Sequence, residues 1–221
     1  MISAKKMQKF FTRLTICYCV FMAIKIPPNE LLTLYASGWF PMATPDGDLQ
    51  LFSPDPRGVM PLDAFRVPHG SKKIVADPAW ETRLDSRFAE VVSACARREE
   101  TWIDDRIFAS YCDLHTAGHA HSVEIWRNGS LVGGLYGVRL GAAFFGESMF
   151  NRIPGASKAA LAQLIAILRD GGFHLLDIQW TTPHLALFGA TAISRQNYLG
   201  QLHRAVATSA TWPGCSGRKL L

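Results

Sequence analysis

Apolar positions repeat with a helical period through much of residues 29–117 and switch to strand-like alternation near residue 120. Over residues 29–37, Leu31, Leu34 and Tyr35 share one face, Asn29 is placed to cap the helix and Gly38 to end it. Pro41, Pro45, Pro54, Pro56 and Pro61 crowd residues 41–61, which read as loop and edge structure around the segment SPDPR. Between residues 85 and 98, Phe88, Val91, Val92, Cys95 and Ala96 fall at helical spacing. A second helix fits residues 104–117, with Ile107, Phe108, Tyr111, Leu114 and His115 on a face. Residues 122–126 then alternate, and Asn128-Gly129 is a strong hairpin signal. With residues 131–138, a turn at 139–141 and residues 142–150, this predicts a three-stranded antiparallel meander. A helix over residues 157–170 turns Leu161, Leu164, Ile165 and Leu168 inward and stops at Gly171-Gly172. Residues 175–180 read as a buried strand. Thr182 and Pro183 open a short helix that Gly189 closes, and Ser194 caps a last one carrying Tyr198, Leu199 and Leu202.

Composition adds limits to this outline. With 48% hydrophobic residues the chain can build a substantial core and is not a disordered one. The net charge of +5 invites a nucleic-acid reading. However, Lys5, Lys6, Lys9, Arg13 and Lys25 all precede the first acid, Glu30, and the other 18 basic residues match 18 acidic ones. Any RNA-binding surface must therefore come from charges segregated by the fold. Cys17, Cys19, Cys95, Cys112 and Cys215 are odd in number and form no CxxC pair, which favours a reducing compartment over a disulfide framework or zinc site. Residues 14–24 are apolar behind a basic stretch, like the start of a signal peptide. No A-x-A site follows, and the run falls short of the ~20 residues that span a bilayer. A mis-assigned start, with translation opening at Met22, and a genuine extension are the other readings.

Several residues stand out chemically. Gly133, Gly134 and Gly137 interrupt a strand, which marks a bulge, a close ligand approach or tight helix-on-sheet packing. Glu147 lies in an otherwise apolar strand, where a lone carboxylate is costly unless paired; the plain alternative is a surface position. Asp177 and Gln179 share one strand face, with Leu176 and Ile178 on the other. Trp102 and Tyr111 are either helix-packing aromatics or a stacking surface for a nucleobase. His119 and His121 lack a third metal ligand nearby.

The motifs TWI at 101–103, GHAHSVEIW at 118–126, LVGGLYGV followed by FFGESMF at 131–150, and ASK at 156–158 with Asp177-x-Gln179 downstream resemble the bacterial leucyl/phenylalanyl-tRNA–protein transferase family. YASGWFPM and SPDPR extend the likeness to roughly residues 30–202. The resemblance implies an α+β protein with a GNAT-like acyltransferase core (antiparallel meander, helix, strand, helix) and a small N-terminal domain. The divisions read as 1–24 for the extension, 25–75 for the small domain and 76–221 for the catalytic domain. It implies transfer of Leu, Phe or Met from aminoacyl-tRNA to proteins with N-terminal Arg or Lys, marking them for degradation in the cytoplasm. No cofactor or metal, no stable membrane association and a monomer are expected with it.

By the same resemblance, Leu135, Phe144, Leu161 and Leu176 line the aminoacyl side-chain pocket, and Trp102 and Tyr111 meet the 3′-terminal adenosine. Gln179 orients the attacking amine and Asp177 polarises it, the proton leaving through Asp177, water or the terminal ribose. Glu147 and Asp177 offer negative charge to an incoming Arg or Lys. Arg57, Lys72, Lys73 and Lys158 are candidate phosphate contacts. Met42 and Thr182 depart from the family pattern, which commonly has an aromatic and an Asn there. Two other classes compete. Arg152-x-x-Gly155 ahead of a helix is a partial pyrophosphate loop of an acyl-CoA-dependent N-acetyltransferase. A non-catalytic tRNA-binding module is the third reading.

Overall fold

The structure, a computed structural model, describes residues 25–214. The readings of residues 1–24 and of Cys215 lie outside that range. Helix α1 (Pro28–Ala36) opens the described chain. Its cap is Pro27 rather than Asn29, because Pro28 occupies the first helical position, where a missing N–H costs nothing. Gly38, at φ +78°, turns the chain out of the helix. Strands β1 (Phe40–Ala43) and β2 (Leu49–Phe52) then form a separate two-stranded hairpin.

The proline-rich stretch also holds β3 (Arg57–Val59), which lies inside the main sheet, between β8 and β9. Reading this segment as loop and edge failed because three residues carry no period. Their strand character comes wholly from partners far along the chain. Gly58 is needed there, since a Cβ would sit 2.6 Å from the Trp180 carbonyl carbon. A 3₁₀ turn (His69–Ser71), the short α2 (Lys72–Val75) and β4 (Glu81–Leu84) follow.

Helix α3 (Phe88–Ala96) is shorter than its apolar rhythm suggests. Asp85 adopts φ +56° and turns its carboxylate to the Ser122 N–H, and the Arg87 N–H goes to Glu124. Helix α4 (Asp105–Thr116) is capped by Asp104, which accepts from the Ile107 N–H. The meander forms as expected: β5 (Ala120–Arg127), β6 (Ser130–Leu140) and β7 (Ala143–Asn151), antiparallel throughout. Asn128 and Gly129 both take positive φ, as the tight hairpin turn demands.

Helix α5 (Ala156–Asp170) then crosses to β8 (Leu175–Gln179), which pairs parallel with β7. Thr182 caps α6 (Pro183–Ala186), and Ser194 caps α7 (Arg195–Val206) after a short β9 (Thr191–Ile193). The sheet order is β4-β5-β6-β7-β8-β3-β9. One face carries Tyr35, Phe88, Ile107, Tyr111, Tyr136, Phe145 and Tyr198, under α1, α3, α4 and α7. The other carries Leu135, Phe144, Leu161, Leu164 and Leu176, against α5. Gly133 lets α5 press onto the sheet, because a Cβ there would lie 2.4 Å from that of Ala156.

Candidate active site

Strands β7 and β8 pair over only three residues, ending at Phe145↔Asp177, while β7 continues to Asn151. At that point β7 also has a bulge. Gly137 pairs with Gly146 and Tyr136 with Ser148, so Glu147 has no partner in β6. A bulge re-aims its extra side chain. Here it points the half-buried Glu147 carboxylate at Tyr35 of α1, Tyr111 of α4 and Gln179 at the end of β8. The Tyr35 hydroxyl donates to one carboxylate oxygen at 2.7 Å and that of Tyr111 to the other at 3.1 Å. Gln179 Nε2 donates at 3.2 Å, and the two tyrosine oxygens are 2.5 Å apart. Burial pushes the Glu147 carboxyl up to about 7, against the downward pull of the two tyrosine hydrogen bonds; Asp177 adds to the rise and Arg57 opposes it. Burial, then the charge of Glu147, holds both tyrosines protonated.

Behind this group lies a second, closed one. Asp177 is fully buried and takes two guanidinium contacts from Arg57, Nε at 3.0 Å and the terminal nitrogen at 2.6 Å. It also accepts from the Tyr198 hydroxyl at 2.7 Å and from the Gln179 N–H at 2.8 Å. Arg57 is equally buried, lies between the Phe40 and Tyr198 rings, and donates to the Gly38 carbonyl at 3.0 Å. Burial works against the Arg57 charge, but Asp177 outweighs it and holds the guanidinium above its usual value. The Asp177–Gln179 contact stabilises a backbone that needs help, since Gln179 sits at φ +56°. That kink ends β8 one residue short of the expected strand and turns the Gln179 amide towards Glu147.

Three sequence expectations are corrected by this geometry. Arg57 is no phosphate contact, because its guanidinium is enclosed and spent on Asp177. Asp177 cannot take the amine proton or meet an incoming cation, for the same reason. Tyr111 offers no ring face to a nucleobase: it is wholly buried, its hydroxyl on Glu147 and its ring edge-on to Tyr136. Trp102 is half-buried against the first core, and its carbonyl accepts from the Ala43 N–H of β1. Lys72 and Lys73 are exposed, and the half-buried Lys158 donates to Ser71.

Leu135, Phe144, Leu161 and Leu176 come together in one apolar cluster from β6, β7, α5 and β8. Phe144 and Leu176 alternate with Phe145 and Asp177 along β7 and β8 and so lie on the opposite face of the sheet from Asp177. Met42 is buried in the first core, and Thr182 is used as a helix cap. His121 hydrogen-bonds Asp85 at 2.9 Å and stacks on Trp212. Cys95 and Cys112 are both unpaired, and burial pushes the Cys95 thiol up to about 12.

Sequence reasoning missed Tyr35 and Tyr198. Each sits at a core position of an amphipathic helix and resembles any buried aromatic until its hydroxyl is seen on a carboxylate. The one available signal was two hydroxyl-bearing rings on helices that pack at the same end of the sheet.

Comparison with known proteins decides the family. A family model described as "Leucyl/phenylalanyl-tRNA protein transferase" matches residues 59–203, and one for the N-terminal domain of the same family matches residues 25–55. The chain belongs to the leucyl/phenylalanyl-tRNA–protein transferase family. It is therefore an aminoacyltransferase, acting between aminoacyl-tRNA and protein. Members of this family from Salinibacter ruber and Akkermansia muciniphila are 48% and 49% identical to it. The first alignment covers 85% of this chain and 83% of the relative, the second 82% and 97%. Among solved structures, a GCN5-related N-acetyltransferase-like protein from Streptococcus suis covers 61% of this chain and 57% of its own, at 21% identity and a TM-score of 0.38. The gap between the two family matches, residues 56–58, falls on β3, whose sheet position ties the N-terminal segment to the catalytic body. Among the described residues no helix is long and apolar enough to cross a membrane.

Proposed function

We propose that this transferase moves Leu, Phe or Met from aminoacyl-tRNA to the N-terminal Arg or Lys of acceptor proteins, marking them for degradation in the cytoplasm. The observation that carries the mechanism is the bulged Glu147 beside Gln179, at the gap between β7 and β8. The donor is an ester, so the reaction needs a held, deprotonated amine more than an activated carbonyl. The acceptor's α-amine attacks the ester carbonyl carbon, a C–N bond forms, and the C–O bond to the terminal ribose breaks. Glu147 is the one carboxylate of the cluster that solvent reaches, and a base with pKa near 7 suits an amine at neutral pH. Gln179 is too weak a base to take the proton and serves to orient. The leaving ribose oxygen recovers a proton from water or from Glu147. Most of the rate then comes from positioning.

The same carboxylate gives a cationic side chain a reason to enter. Donor choice falls to Leu135, Phe144, Leu161 and Leu176. An apolar cavity rejects polar side chains through lost solvation but separates similar apolar ones only weakly, which suits a multi-specific donor site. Trp102 serves the terminal adenosine, with Lys72, Lys73 and Lys158 as outlying phosphate contacts.

The test is incubation with labelled Leu-, Phe- and Met-tRNA and an Arg-initiated peptide, with acetyl-CoA in a parallel arm. Labelled peptide from the tRNA arms is expected. Acetylated peptide with no aminoacyl transfer would overturn the proposal in favour of an N-acetyltransferase.

A further inference from the structure

Beyond the end of the β7–β8 pairing, a cleft of about 560 Å³ opens between the C-terminus of α3, the end of β7, the start of α5 and α6. It is lined by Arg97, Arg98, Asn151, Arg152, Ser157 and His184 around an apolar floor of Met149 and Phe150. Among the described residues no carboxylate lines it; Glu90 lies 3.5 Å from the Arg152 guanidinium. Two of the cations are aimed by backbone: Arg98 donates to the Met149 carbonyl and Arg152 to the Leu131 carbonyl at 2.7 Å. Arg152 also lies over the Phe150 ring at 5.5 Å. Three guanidiniums around one concavity give it a positive field, which suits an anion. Met149 of this floor also packs against the core cluster that contains Leu135, Phe144, Leu161 and Leu176, the proposed donor-side residues.

We infer that this cleft is a phosphodiester subsite, holding the backbone of the donor's single-stranded 3′ end through Arg97, Arg98 and Arg152. The inference rests on the aminoacyl-transfer reading and supplies the segregated basic surface that bulk charge left open. It also separates the two substrates. A cationic acceptor N-terminus is repelled from the arginine cleft and drawn to Glu147, so donor backbone and acceptor approach the β7–β8 gap from different sides. Guanidinium forks suit phosphate oxygens better than the lone ammonium groups of Lys72 and Lys73.

The test uses the full chain, an Arg-initiated peptide and three donors: leucyl-adenosine, a leucylated cytidylyl-cytidylyl-adenosine and Leu-tRNA. Arg97 is exposed, so Arg97→Gln leaves the fold undisturbed, and Arg97→Lys retains the charge. For the two phosphate-bearing donors, Arg97→Gln is expected to raise KM several-fold and to flatten the log KM against log salt slope by about 0.7 per lost contact. Adding Arg152→Gln should roughly double that change, and Arg97→Lys should restore most of the slope. Leucyl-adenosine, which carries no phosphate, should give the same KM with each. An equal KM rise for leucyl-adenosine would overturn the subsite, as would unchanged constants for all three donors. A rise in the peptide KM alone would assign the cleft to an acidic stretch of the acceptor instead. Failure of the unsubstituted chain to use any of the donors would overturn the transfer reading and the subsite with it.

Discussion

Two carboxylates a few residues from one another in space play opposite parts. Asp177 is saturated by Arg57, Tyr198 and a backbone N–H, so it acts as scaffold. Glu147 is held by neutral hydroxyls and an amide, with its pKa raised from 4.5 to about 7 by burial, so it can change charge at working pH. The sign is clear for activity: transfer should rise with pH through about 7 as Glu147 ionises. It is opposite for stability. A raised folded-state pKa stabilises the protein below pH 4.5, and that contribution is lost as pH climbs to about 7. Glu147→Gln should therefore lower kcat on the order of 10²-fold or more. The same change should stabilise the fold at pH 8 by at most about 3 kcal/mol, and not at pH 4. Steady-state rates and urea melts at both pH values check this, and equal stability at pH 8 would remove the charge argument. Arg57→Met should cost about 3–5 kcal/mol by leaving Asp177 buried and unpaired. Its kcat should fall with the loss of the Gln179 kink. The salt slope of the tRNA KM should stay unchanged, because no phosphate contact is removed. A flattened slope would return Arg57 to the tRNA surface.

The bulge in β7 and the kink ending β8 together open the sheet. Neither strand alone makes a site; the site is the place where they part. Gly137 sits opposite this point, and a Cβ on it would lie 2.3 Å from the Phe145 carbonyl oxygen and 2.4 Å from the Phe144 ring. Backbone cannot yield as a flexible side chain does. Gly137→Ala should destabilise by about 1–3 kcal/mol, and in the folded fraction it should reduce transfer by displacing Phe144. Gly70→Ala, where nothing lies within 4 Å, is the matched control and should be neutral. Denaturant midpoints of the two variants compare them directly, and equal midpoints would mean that the strand absorbs the extra methyl.

The described chain closes on itself behind Phe144. Trp212, after α7, inserts its ring between His121 and Phe144, coplanar with Phe144 to within 9° at 5.4 Å. Its indole N–H is fixed by Asp85 at 3.0 Å. The C-terminal segment thus backs Phe144, which we propose as a wall of the donor pocket. Trp212→Leu should loosen that wall and raise the ratio of Phe to Leu kcat/KM, measured below the variant's melting midpoint. An unchanged ratio, with stability alone reduced, would make Trp212 a simple core residue.

What the sequence determined by itself was local. The helix caps at Thr182 and Ser194, the Asn128-Gly129 turn and the meander-helix-strand order are written in short-range chemistry and in period, and they emerged with shifts of a few residues at their ends. The motif residues Glu147, Asp177 and Gln179 were also visible, because polar side chains in apolar strands need a reason. Their division of labour was not visible. It depends on Arg57, 120 residues from Asp177, and on Tyr35, 112 residues from Glu147. No periodicity links such positions. β3 was lost for the same reason, as three residues become a strand only when β8 and β9 supply both of its neighbours. Which carboxylate is closed and which is open is a matter of burial and partner, and only the assembled tertiary structure decides that.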